Sequence, residues 1–320
     1  MNEKALSTLE FHKIITRLAK YADFSASADL ARQLRPTSDL AEARERQQVT
    51  AEARHILSLD TDVSLAEAQD IRPQVGLSRR DGVLEPIDLL AIKNTLIVSR
   101  KLHRALENLA KETPLLATLV GGLPVGLGLV DRINKIISSR GEVLDSASEK
   151  LGDIRREMKI TYERMMSRMQ RYLTDSRTAN MLQEPIITQR NGRDVLPLRA
   201  EFKGRIKAVI HDQSASGATL FIEPLAVVEW NNRYRELELA ERDEVRRILA
   251  ELSHTVAQHA DVLEEMVSVM AELDLSFMRA KYALDIDATQ PELVPFRDTG
   301  ERHPGSTIRL YQVRHPLLDA

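Results

Sequence analysis

The chain contains no cysteine and few aromatic rings, and each absence narrows what it can be. Without thiols there are no disulfides and no thiolate chemistry, which suits a reducing, cytoplasmic setting. Aromatic residues are 4% of the chain, with a single tryptophan, against 43% hydrophobic residues overall. The apolar content is therefore aliphatic, which argues for packed helices and against an all-β fold. Neither charge sign dominates: 45 Lys and Arg against 48 Asp and Glu leave a net charge of −3, so any affinity for nucleic acid must come from a local patch. The opening MNEKALSTLEFHKII is charged throughout and has no signal-peptide core. One uncharged stretch, Pro114–Val130, falls short of the ~20 residues a membrane crossing needs and is interrupted by glycine and proline, so no membrane role is expected. A phosphate-cradling GxxxxGK[ST] loop and an HExxH metal motif are both missing. His254 and His259 are five apart, on different faces of a helix, and do not form a metal pair.

What is present is a length of 320 residues, enough for a substantial core and more than one unit. Residues 1–140 read as amphipathic helices separated by breakers, a helical core and lever base. From Leu144 the apolar positions Leu151, Ile154, Met158, Tyr162, Met165, Met169 and Tyr172 recur at helical steps, predicting a helix of about 37 residues, roughly 55 Å long, within 141–183. A second run over 225–288 has no proline or glycine and predicts a continuous helix of roughly 90 Å. Two such struts with apolar seams are expected to pair antiparallel like a coiled coil, with Met158, Met165, Met169, Met266 and Met270 as packing residues.

Between the struts, 184–224 changes period from helix to strand. Asn191-Gly192 is a strong hairpin signal, and Ser214–Gly217 is a second turn, so a small antiparallel meander of about four strands is expected. From Ile186 to Ile210 there are six cations (Arg190, Arg193, Arg199, Lys203, Arg205 and Lys207) against Asp194 and Glu201, a local charge of +4. Such a patch suits phosphate contact through counterion release, and equally suits a solvated polar face. Phe202 and Phe221 are the only rings in it, which favours backbone or shape recognition over base stacking. His211, Asp212, Ser214, Ser216 and Glu223 lie close in sequence, as in a reaction centre. Neighbours in a strand point to opposite faces, however, so the reading is turn chemistry by Asp212 and Ser214, with His211 near a phosphate. Thr307–Val313 alternates like an edge strand.

The signature QRNGRDVLPLRAEFKGRIKAVIHDQSASGATLFIEP, followed by NNRYRELELAERDEVRRIL, occurs with the opening LEFHKIITRLAKYA, the strut entry LDSASEKLGDIRRE and the closing RHPLL. Together they resemble the N-terminal lever and clamp half of the second bacterial MutS subfamily, over essentially the whole chain. The resemblance implies a mainly α fold: a helical core, two long antiparallel lever helices and a β clamp at their tip. It also implies that 289–320 begins a junction to a dimerising ATPase domain, followed usually by a small endonuclease domain. ATP and Mg would then belong only to domains outside this chain, and no catalytic residue, cofactor or metal is expected within it. Carried over by position, the clamp candidates are Arg190, Arg193, Arg199, Lys203, Arg205, Lys207, His211, Ser214 and Ser216. The partners implied are branched or duplex DNA, with restraint of homologous recombination, or stalled ribosomes and rRNA, with a homodimer formed by the full-length protein. A helical scaffold for self-association is the reading from a third class.

Overall fold

In the computed structural model, which describes residues 3–59, 63–295 and 308–318, the chain is mainly α-helical. The helices are α1 (Glu3–Thr8), α2 (Phe11–Leu18), α3 (Ser25–Arg32), α4 (Leu40–Ser58), α5 (Arg72–Ser78), α6 (Pro86–Asn108), α7 (Pro114–Val120) and α8 (Leu129–Ile136), then α9 (Glu149–Thr174) and the single turn α10 (Ser176–Ala179). The strands β1 (Thr188–Arg190), β2 (Arg193–Arg199), β3 (Ala208–Gln213) and β4 (Thr219–Pro224) follow, and α11 (Leu225–Gln258) and α12 (Ala260–Asp285) complete the order. By contact density the chain divides into two units, Met1–Asn134 with Leu252–Ala320, and Lys135–Glu251.

The first unit is built around α12. Leu263, Met266, Val267, Met270, Leu273, Phe277, Met278 and Tyr282 are all buried. A helix apolar on nearly every side must be covered on every side, and α2, α3, α4, α5 and α7 do so. Met266 and Met270, expected in a strut seam, are part of this core. Two buried carboxylates fix helix entries from a distance. Asp274 on α12 accepts from the backbone N–H of Asp23 and Phe24 (3.1 and 3.0 Å) and from Ser27, so the entry of α3, which has no capping side chain of its own, is capped by another helix. Burial pushes the Asp274 carboxyl above the usual range. Glu52 does the same for α7, accepting from Leu115 and Leu116 N–H at 3.0 Å each.

The second unit pairs α9 with the first part of α11. Ser148 caps α9 by accepting from Leu151 N–H at 3.0 Å. Its hydroxyl also donates to Glu244 at 2.9 Å. Arg155 donates to Glu241 at 2.6 Å, and Tyr162 packs on Tyr234 with ring centroids 5.5 Å apart. The partners descend along α11 as they rise along α9, so the two helices are antiparallel.

Both predicted struts are interrupted. The first ends as a 26-residue helix at Asp175, whose side chain accepts from Arg177 N–H at 2.9 Å and starts the new turn α10. An Asp that offers the backbone an alternative acceptor favours such a stop. The second run breaks at His259 (φ −107°, ψ 14°) into helices of 34 and 26 residues. No proline or glycine marks that break. Beside it α5 packs on α12, and Arg79 pairs with Asp261 and, at 3.4 Å, with Glu264. The sheet order is β1-β2-β4-β3, so it is two hairpins joined by a crossover and not a sequential meander. Residues 308–313 form no strand, and Thr307 lies outside the described residues, as does much of 289–320.

Glu244 makes the second unit acid-sensitive. Its side chain has 0% exposure and is held by Arg247 (2.6 Å), Lys150 (3.1 Å) and Ser148. Foremost the Arg247 guanidinium, with Ser148 and Lys150, depresses its carboxyl to about 2 from an ordinary 4.5. Because the folded value is the lower one, this stabilisation is fully present above about pH 4.5 and is lost as pH falls towards about 2. Burial acts oppositely on Asp194, raising its carboxyl, so the contribution of Glu244 is read as a difference between variants. Acid unfolding of the wild type, followed by Trp230 emission, is expected to steepen in that window relative to Glu244→Gln. Parallel curves would refute the assignment.

Candidate nucleic-acid interface

The sheet packs one face on α9 and the start of α11. Leu196, Leu198, Leu220 and Ile222 join Met165, Met169, Leu182, Ile206 and Val227 in a buried cluster, against which Phe202 and Trp230 also pack. Asn191 (φ 51°) and Gly192 (φ 72°) both adopt left-handed backbone, as a two-residue turn of the hairpin β1–β2 requires. Ser214–Ala218 closes β3–β4, with Gly217 at φ 74°. There Ser214 Oγ accepts from Thr219 N–H at 3.0 Å and Ser216 Oγ from Ala218 N–H at 3.4 Å, so both hydroxyls brace the turn.

On the other face lies Glu223, 1% exposed. Arg193 reaches both its oxygens (3.0 and 3.1 Å), Asn231 Nδ2 donates to it at 2.7 Å, and His211 Nε2 lies 2.6 Å away. Arg193 also donates to Asn232 at 2.6 Å, tying strand, edge and helix to one carboxylate. A bulge between Ile210 and Asp212 aims His211 inward. His211 therefore faces Glu223, while Ser214 and Ser216 are occupied by the turn, and no Ser–His–Asp set converges. Among the described residues no group of three or more His, Asp and Glu is placed to hold a metal ion, and no helix is long and apolar enough to cross a membrane.

The six cations separate into two kinds. Arg193 is committed to Glu223, and Arg190 lies 4.0 Å from the centre of the Phe221 ring and 3.5 Å from Asp212. Arg199, Lys203, Arg205 and Lys207 are exposed, and among the described residues none is paired with a carboxylate. These four follow the crossover. β2 ends with Arg199 opposite Thr219, and β3 begins with Ala208 opposite Pro224, so the intervening chain travels the length of β4, about 17 Å at ~3.4 Å per residue. Ile206 is buried beneath it and Gly204 (φ 83°) turns it, which leaves Lys203, Arg205 and Lys207 to solvent. Helix α9 adds cations that periodicity of apolar residues alone does not reveal: Arg164, Arg168 and Arg171 are exposed on one side of it. The signal is their spacing without an acid three or four residues away, except Asp175, which instead pairs with Arg177 at 3.3 Å.

Comparison with known proteins gives relatives along the whole chain. It is 41% identical over 318 residues to Endonuclease MutS2 of Symbiobacterium thermophilum, covering 99% of this chain and 39% of that protein. Proteins of the same name from Geobacillus sp. and Thermomicrobium roseum are each 38% identical, over 100% of this chain and 40% and 41% of theirs. The chain is a homologue of part of MutS2. It spans about two-fifths of the length of these MutS2 relatives. No family model matches it. The architecture is mainly α with a small four-stranded antiparallel sheet, the fold class expected from the sequence.

Proposed function

We propose that residues 135–251 form a nucleic-acid clamp that grips the phosphate backbone, serving a longer MutS-like protein that acts on branched or recombination-intermediate DNA and suppresses homologous recombination. The observation that carries this reading is the crossover line Arg199, Lys203, Arg205 and Lys207, exposed and unpaired with any carboxylate among the described residues, in a chain whose net charge is −3. Its ~17 Å run covers about five base-pair steps along a duplex axis at ~3.4 Å each. Cations that meet phosphates without touching base edges confer affinity without sequence preference. ATP, Mg, dimerisation and the endonuclease activity in the relatives' name would belong to the rest of such a protein.

The test compares three targets at one low salt concentration: a four-way DNA junction, a linear duplex of the same sequence, and ribosomes by co-sedimentation. Tightest binding to the junction is the expected result. Preference for ribosomes would move the assignment to rRNA and to a protein that splits stalled ribosomes. Binding to none of them, with self-association intact, would leave the helical scaffold.

A further inference from the structure

The lone tryptophan occupies an unusual place. Trp230, in the second turn of α11, is half-buried against the cluster beneath the sheet, and the Arg164 guanidinium lies 5.5 Å from its ring centre. This pair borders an open groove of about 500 Å³ along α9, lined also by Ile160, Ser167, Arg168 and Arg171. Glu163 is the single acid there, against three arginines. None of the three arginines is paired with a carboxylate among the described residues, and the groove has the volume of a small-ligand site.

We propose that this groove takes one unpaired nucleotide of a single-stranded segment. Its base stacks on the Arg164–Trp230 pair, and its flanking phosphates lie on Arg168 and Arg171. Guanidinium planes and aromatic rings both stack bases, and every base offers a face, so the site would be tolerant of sequence. Arg168 and Arg171 are about 4.5 Å apart along the helix axis, close enough to serve neighbouring phosphates. Of the other rings of this unit, Phe202 and Tyr172 pack against the core, Tyr162 and Tyr234 pack on each other, and Phe221 lies beside Arg190, whose charge is shared with Asp212. The inference rests on the clamp reading and sharpens it, because branched intermediates with a flap or a displaced strand carry a single-stranded segment that a plain duplex lacks.

Trp230 is the chain's only tryptophan, so in the folded protein its emission reports the surroundings of this one side chain, at the groove and the core beside it. Titration with a twelve-residue oligothymidylate at low salt is expected to quench that emission saturably. Arg168→Glu with Arg171→Glu should weaken binding of the labelled oligonucleotide, read by anisotropy, about tenfold or more. Trp230→Ala should weaken it about fivefold or more, and Trp230→Phe, which keeps the packing and the stack, far less. Binding of the oligonucleotide without change in Trp230 emission, binding indifferent to these substitutions, or no binding of it while a four-way junction still binds would each overturn the groove and leave the crossover clamp standing. Loss of junction binding on removing the crossover cations, by contrast, bears on the clamp alone.

Discussion

Glu223→Ala is expected to destabilise the sheet-bearing unit by about 3 kcal/mol. The carboxylate is 1% exposed and satisfies Arg193, Asn231 and His211 together. Removing it takes the acceptor from the His211 imidazole, the shorter of two acceptors from the buried Asn231 amide, which keeps only Asp194 O at 3.3 Å, and the carboxylate from a guanidinium whose side chain is 30% exposed. That partial exposure lets Arg193 turn towards water, which places the cost at the lower end of what breaking a buried ion pair entails. Glu223→Gln keeps the shape and one acceptor oxygen, and should cost about 1–2 kcal/mol. Chemical denaturation followed by Trp230 emission reads this unit specifically, because the only tryptophan of the chain packs against its core. A loss below about 1 kcal/mol for the alanine variant would mean that the apolar face of the sheet carries its attachment to α11 and that the hub is incidental.

The same hub shows where sequence reasoning stops. Helices, hairpin turns and the strand-bearing insert are legible because each rests on local chemistry: Asn191-Gly192 supplies left-handed backbone, and Ser148 accepts from the N-terminus of α9. The break at His259 is not legible, since nothing local forces it; Arg79, distant in sequence, pairs with the first turn of α12. Nor is the strand order, because a crossover that carries β3 past β4 is fixed by the burial of Ile206 and by the pairing of β4 with both neighbours. The cationic patch could be counted from the sequence but not sorted. Charge alone gives Arg193 and Arg205 equal standing, and only the bulge at His211 and the position of Glu223 show that Arg193 is spent inside the fold while Arg205 is free at the surface.

That sorting leads to the second large effect. Replacing Arg199, Lys203, Arg205 and Lys207 together by alanine is expected to lower affinity for duplex or branched DNA about a hundredfold or more at low salt, with folding stability little changed. Each cation that meets one phosphate contributes about 0.9 to the slope of log K against log salt, so four should reduce it by about 3.6 units. The loss should be the same for unrelated DNA sequences, because phosphate contacts carry no base information. Arg193→Ala should do the reverse, costing stability through Glu223 while leaving the slope nearly intact, and Arg190→Ala should fall between, since Phe221 and Asp212 already hold part of its charge. Salt titrations of the quadruple variant and of these two single variants therefore separate grip from structure. A slope unchanged in the quadruple variant would show that the crossover does not touch phosphate, and would shift the interface to the arginines of α9.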